Sequence, residues 1–305
     1  MLKSQTIDAE EYEHTIPLFL AENPFGSVHS LFQNGLNILM GERLLFIGTD
    51  KNGKLPFGIH LQKEAVQSLL PSIQMPAAVQ WNEETKQLTF ENSDIAICFK
   101  KGTRYSNVIH FTENEISTQY LETFIKVLAI EGEKTGLDLE IDQFLLDYFR
   151  IQIENTPSAN SIINEVYRLI ASISSNHASE IDRVIRYFLG RGKGLTPSGD
   201  DHLVGLLAIH TITGVCSPLF LQTLQTIIQH ESVTTDIARE YLLYALKGEF
   251  SSTIINILNS LVEKERQSEV ETQLIQLLTV GHSSGVDTAF GLLIGILAVK
   301  NWRKE

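Results

Sequence analysis

The chain is poor in cysteine, tryptophan and methionine, and it has no surplus of positive charge. Two cysteines in 305 residues, Cys98 and Cys216, stand far apart and form no CxxC pair. Neither a disulfide framework nor a cysteine-based zinc cluster is expected, and the setting reads as a reducing cytoplasm. The nine histidines include no HxH or HExxH spacing, so no motif for a catalytic zinc is present. Lysine and arginine number 24 against 37 acidic residues, for a formal net charge of −13. That excludes nucleic acid and anionic membrane surfaces as partners, and any anionic ligand must rely on local donors. The opening MLKSQTIDAEEYEH has no apolar signal core. The most apolar run, Ala289–Val299, is far short of the ~20 residues that span a bilayer and reads as a buried helix.

What is present is an ordinary globular composition, 43% hydrophobic and 20% charged, with a change of period along the chain. From Phe25 to His110 the apolar runs are short, alternating and separated by turn signals: Gly41-Glu42, Asn52-Gly53, Asn82 to Thr85, and Glu91 to Ser93. This pattern predicts an antiparallel sheet or small barrel, with Asn52-Gly53 as its strongest hairpin signal. From about Asn114 the apolar residues recur at three and four, as in TQYLETFIKVLAIEG, IDRVIRYFLG and IAREYLLYALKG. The fold class is therefore α+β, with a β-rich domain at 1–112 followed by a helical domain at 113–305.

The chemistry concentrates in one loop, GRGKGLTPSGDDHLVGLL, from Gly190 to Leu207. Its glycines follow a helical segment rather than a strand, so the dinucleotide-binding fingerprint does not apply. Lys193 is followed by Gly194 rather than Ser or Thr, so neither does the phosphate-binding loop of nucleotide hydrolases. What remains is a helix–loop–helix, with Thr196-Pro197 suited to N-cap and N1. Ser198, Gly199, Asp200 and Asp201 then form a first turn whose free N–H groups favour a bound anion. Gly199 offers close backbone approach to a ligand, and Arg191 and Lys193 offer charge. The structural alternative is a capping box of Ser198 with Asp201 around a tight reversal.

A second stretch, GHSSGVDTAFGLLIGI, repeats the pattern: Ser198-Gly199-x-Asp201 and Gly205-Leu206-Leu207 match Ser284-Gly285-x-Asp287 and Gly291-Leu292-Leu293. Glycine inside a helix costs about 1 kcal/mol relative to alanine. Gly205 and Gly291 thus predict two helices packed through their small faces, with both N-termini brought to one place. Thr196, Ser198, Ser283 and Ser284 would supply hydroxyls there, and Ser232, Thr234 and Thr235 start a third helix nearby. Of the two flanking histidines, His282 is the better candidate for catalysis and His202 for packing.

Placed together in this order, GKGLTPSGDDHLVG and GHSSGVDTAFG, with LPFGIHL upstream, resemble a bacterial domain-of-unknown-function family. That family includes the AllH-type subunit of oxamate carbamoyltransferase. The resemblance covers most of the chain and implies a role in allantoin and purine degradation. The reaction it implies is phosphorolysis of oxalurate to oxamate and carbamoyl phosphate, with two partner subunits and no cofactor. It carries over Gly194, Thr196, Ser198, Gly199, Asp200, Asp201, His282, Ser283, Gly285 and Asp287. The candidate catalytic set is Asp200, Asp201, Asp287 and His282. Lys193, Gly194, Thr196, Ser198, Gly199, Ser283, Ser284 and Gly285 are expected to bind a small anionic substrate and phosphate. Two alternatives stay open: a metabolite-binding or scaffold subunit, and a Mg²⁺-dependent hydrolase using Asp200, Asp201 and Asp287.

Overall fold

A computed structural model describes residues 5–109, 116, 118–132, 134–154, 156–263 and 268–302. The chain divides into two compact units, Met1–Val108 and Ile109–Glu305. The boundary expected near residue 112 lies outside the described residues.

The first unit is built on ten strands: β1 (Gln5–Asp8), β2 (Glu11–Glu13), β3 (Phe25–Phe32), β4 (Gly35–Met40), β5 (Arg43–Gly48), β6 (Gly58–His60), β7 (Ala78–Asn82), β8 (Gln87–Phe90), β9 (Ile95–Cys98) and β10 (Thr103–Tyr105). Two short helices, α1 (Ile16–Glu22) and α2 (Lys63–Leu69), join them. The sheet order is β1-β9-β8-β7-β3-β4-β5-β6-β2-β10. Only Ala9 and Glu10 separate β1, at one end of that order, from β2 near the other. Two residues reach only about 7–10 Å, so the sheet must curl back on itself. The seam is stitched accordingly: Ala9 N–H donates to the Cys98 carbonyl at 2.8 Å and Glu10 N–H to the His60 carbonyl at 2.9 Å.

Turns at Gly41, Asn82 to Thr85 and Glu91 to Ser93 join antiparallel neighbours as expected. Asn52-Gly53 makes a turn, with Gly53 N–H on the Asp50 carbonyl at 2.8 Å, but no hairpin follows. The next strand, β6, lies parallel to β5, because a longer connection carries the chain back before it pairs. The β1–β9 and β2–β10 pairs are parallel as well.

The second unit contains α3 (Thr118–Glu131), α4 (Ile141–Glu154), α5 (Ser161–Ser172), α6 (Ala178–Phe188), α7 (Ser198–Thr213), α8 (Pro218–His230), α9 (Asp236–Ala245), α10 (Ser252–Val262), α11 (Val270–Leu278) and α12 (Ser284–Trp302). Side-chain caps open several of them. Asn160, Ser217, Thr235 and Ser251 each accept a first-turn N–H, satisfying one of the donors a helix start leaves over. Most of these helices bury one stripe, whereas α7 is buried without a break from Ser198 to Ile209 and α12 from Asp287 to Val299. A helix that is apolar all round must sit in the middle of its domain. These two pack on each other more extensively than any other pair of elements. Among the described residues, no helix is long and apolar enough to cross a membrane.

The α7–α12 contact is made by glycine, as the sequence predicts. A Cβ on Gly205 would lie 2.2 Å from the Thr288 carbonyl oxygen, and one on Gly291 would lie 2.2 Å from the His202 carbonyl oxygen. Backbone therefore meets backbone, and the two N-termini are held side by side.

Candidate paired-carboxylate site

The first turns of α7 and α12 are linked through their hydroxyls. Pro197, not Thr196, occupies the cap position of α7 and supplies no side-chain cap. The Thr196 hydroxyl is instead 2.8 Å from Ser284 Oγ, on the first residue of α12. The Ser198 hydroxyl reaches across to Asp287, while those of Ser284 and Thr196 reach Asp201. The structural alternative, a capping box of Ser198 with Asp201, is not what forms: α7 has no side-chain cap, and each serine serves the carboxylate of the opposite helix.

Asp201 and Asp287 lie beneath these hydroxyls, 7% and 0% exposed, and their environments push them apart. Burial, and then the negative charge of Asp287, hold the Asp201 carboxyl well above the ordinary carboxylate range. Burial acts on Asp287 too, but His202, the Gly136 amide and the Ser198 hydroxyl outweigh it and hold that carboxyl below the ordinary range. His202 is fully buried, with Nε2 3.3 Å from Asp287 Oδ1 and its ring between Phe188 and Phe290. The two environments act in opposite senses, favouring the protonated form of Asp201 and the ionised form of Asp287, as suits a proton donor beside an acceptor. Among the described residues, Oδ2 of both aspartates is buried without a hydrogen-bond partner.

Gly136 was not legible as a site residue. It lies in the turn between α3 and α4, where Thr135 N–H bonds the Leu139 carbonyl at 2.9 Å. Its own N–H donates to Asp287 Oδ1 at 2.9 Å. A Cβ there would meet Ser198 Oγ at 2.1 Å, Ser283 Oγ at 2.8 Å and Asp287 Oδ2 at 2.9 Å. The sequence KTGLDL signals only a turn, and nothing local ties it to helices far along the chain.

Other candidates are placed differently. Asp200 faces away from the pair: its carboxylate accepts from Gly190 N–H at 3.1 Å and from the Thr234 hydroxyl at 2.8 Å. It thereby anchors the start of the glycine loop to the segment ahead of α9, and burial raises its pKa to about 6 against those two bonds. Thr235 completes that anchor by donating to the Leu195 carbonyl, so the third segment does join the loop. Gly199 and Gly285 are not open to a ligand. A Cβ on either would lie 2.1 Å from the Phe188 carbonyl oxygen or 2.0 Å from that of Leu277; both glycines are taken up by the preceding helix. Ser283 and Ser284 are half-buried at the rim, while Lys193, Gly194 and His282 are exposed outside it. His202 is thus the histidine beside a carboxylate, and His282 is not. Among the described residues, no three His, Cys, Asp or Glu side chains converge as a metal-ligating group.

Residues 5–104 match a family model described as the AllH family N-terminal domain. Residues 188–296 match one described as oxamate carbamoyltransferase subunit AllH. The second match runs from the end of α6 into α12 and contains both loops. No solved structure matches the chain. With the two matches in chain order and together covering most of its length, the chain belongs to the AllH family of oxamate carbamoyltransferase subunits.

Proposed function

We propose that the chain is the part of an oxamate carbamoyltransferase that handles the carbamoyl group at the paired starts of α7 and α12. The reaction is cleavage of oxalurate by phosphate, within allantoin and purine degradation. A phosphate oxygen attacks the ureido carbon, the bond from that carbon to the oxamate nitrogen breaks, and the nitrogen takes up a proton. The products are carbamoyl phosphate and oxamate. One observation carries the reading: Asp201 and Asp287 are buried within reach of hydroxyls at two adjoining helix N-termini, in environments that raise the pKa of the first and lower that of the second. Asp201 is suited to protonate the leaving nitrogen, and Asp287 to accept from a ureido N–H. Helix N-termini and the hydroxyls of Thr196, Ser283 and Ser284 suit the anionic ends of substrate and phosphate.

The test is phosphate-dependent release of carbamoyl phosphate from oxalurate by the enzyme reassembled with its partner subunits. Asn at position 201 can still hydrogen-bond but cannot deliver the proton. Asp201→Asn should therefore lower turnover by about 100-fold or more while leaving substrate affinity close to wild type. Unchanged turnover would refute the assignment. A second reading, a binding subunit with the chemistry on a partner, is favoured by the burial of both carboxylates. It predicts full turnover in Asp201→Asn and loss of subunit assembly or ligand capture when the rim hydroxyls are removed.

A further inference from the structure

The two loops are not merely similar in sequence; their helices are related by a local two-fold axis. Ser198 reaches Asp287, and its counterpart Ser284 reaches Asp201, the counterpart of Asp287. Gly205 abuts the Thr288 carbonyl, and its counterpart Gly291 abuts that of His202, the counterpart of Thr288. Gly199 and Gly285 each abut a carbonyl of the helix before them. Contacts in which i meets j and the equivalent of j meets the equivalent of i are what a two-fold requires. Such an arrangement, if perfect, would give two identical carboxylates sharing a proton with no reason for one rather than the other to keep it.

The symmetry fails next to the carboxylates themselves. Asp201 is followed by His202, whereas Asp287 is followed by Thr288. The imidazole stands 3.3 Å from Asp287 Oδ1, and among the described residues no imidazole acts on Asp201 in the same way. We propose that His202 is the positioning residue that makes a duplicated carboxylate pair unequal, fixing Asp287 as the ionised member and leaving the proton on Asp201. The Gly136 amide, which reaches only Asp287, acts in the same sense. Two further titratable groups lie near Asp201: Asp200, whose carboxylate is turned to Gly190 and Thr234 but whose charge still acts on Asp201, and Tyr241 of α9. The charge of Asp200 disfavours further negative charge at Asp201 and so reinforces the assignment, whereas the Tyr241 phenol, pushed up by burial, stays uncharged and adds no repulsion. This inference rests on reading Asp201 and Asp287 as one site, yet its test needs neither substrate nor partner subunits.

The test is infrared difference spectroscopy of the full chain with side-chain ¹³C-labelled aspartate, read across pH. Wild type should show a protonated, buried carboxyl band at neutral pH that disappears in Asp201→Asn. In His202→Gln the Asp287 carboxylate should take up a proton at higher pH than in wild type, adding a second band. In the exchange variant carrying His202→Thr with Thr288→His, the band should move to Asp287 and so survive a further Asp201→Asn change. A band that stays on Asp201 in the exchange variant, or a titration of Asp287 unmoved in His202→Gln, overturns the proposal. Should the exchange variant fail to fold, carboxyl ¹³C resonances of wild type decide it: two carboxylates titrating alike would also overturn it. Correct band behaviour without Asp201-dependent turnover would instead count against the proposed function alone.

Discussion

Gly205→Ala tests the backbone-to-backbone packing that brings the two helix starts together. The added Cβ would sit 2.2 Å from the Thr288 carbonyl oxygen and 2.7 Å from the Leu292 nitrogen. Neither atom can rotate away as a side chain would, so α7 and α12 must separate by roughly an ångström. Overpacking of this kind costs about 1–3 kcal/mol, with the immobile backbone placing this site at the upper end. Alanine regains about 1 kcal/mol of helix propensity, leaving a net loss of roughly 1–2 kcal/mol. For a domain of this size each kcal/mol shifts Tm by about 2–4 °C, so thermal unfolding should fall by roughly 2–8 °C. Gly291→Ala makes the reciprocal clash with the His202 carbonyl and should cost about the same. The double variant should lose less than the sum, because one separation relieves both clashes. A Gly205→Ala protein with an unchanged or raised Tm would refute the reasoning, since propensity would then be acting without any packing penalty.

Three further outcomes follow from the same geometry. Asp200 has a folded pKa of about 6 against an ordinary 3.8, so its contribution is greatest at low pH and is lost as pH rises through 6. Relative to Asp200→Asn, wild type should lose about 2–2.5 kcal/mol of unfolding free energy between pH 4 and pH 7, measurable by urea titration at each pH; a flat difference contradicts it. Gly136→Ala pushes on Ser198, Ser283 and Asp287, two of them movable hydroxyls. It should weaken binding of carbamoyl phosphate in calorimetry with little change in Tm, and unaltered affinity would remove the Gly136 turn from the site. Thr234→Val deletes a hydrogen bond to the Asp200 carboxylate and should cost about 1–3 kcal/mol, seen as faster proteolysis near Gly190; a silent variant would show that the anchor is dispensable.

The sequence showed more of the site than of its logic. Glycine within an apolar helix has few uses besides close approach, so Gly205 and Gly291 point to the α7–α12 contact from sequence alone. The Ser-Gly-x-Asp repeats likewise pointed to joined N-termini. What stayed hidden depends on direction in space. Consecutive helical residues face about 100° apart, so Asp200 and Asp201 looked alike in sequence while one anchors a loop and the other faces Asp287. Gly199 and Gly285 looked open to ligands, but preceding helices fill that space. His202 looked like packing and is packing, between two phenylalanine rings, yet the same burial sets it beside Asp287. Gly136 comes from a turn whose partner is distant in sequence, and local pattern carries no record of that. In the first unit, Asn52-Gly53 specified the turn but not the return path that makes β5 and β6 parallel.

The most direct measurement of the central claim is ligand-induced thermal stabilisation of the purified chain by phosphate, carbamoyl phosphate, oxamate and oxalurate. Wild type and Asp201→Ala would be compared at matched concentrations. A ligand at about 100 times its Kd stabilises by roughly 2.7 kcal/mol, a shift of several degrees. The account predicts that shift with the carbamoyl compounds or phosphate in wild type and its loss in Asp201→Ala. Equal shifts in the two proteins would place the ligand away from the paired carboxylates and contradict it.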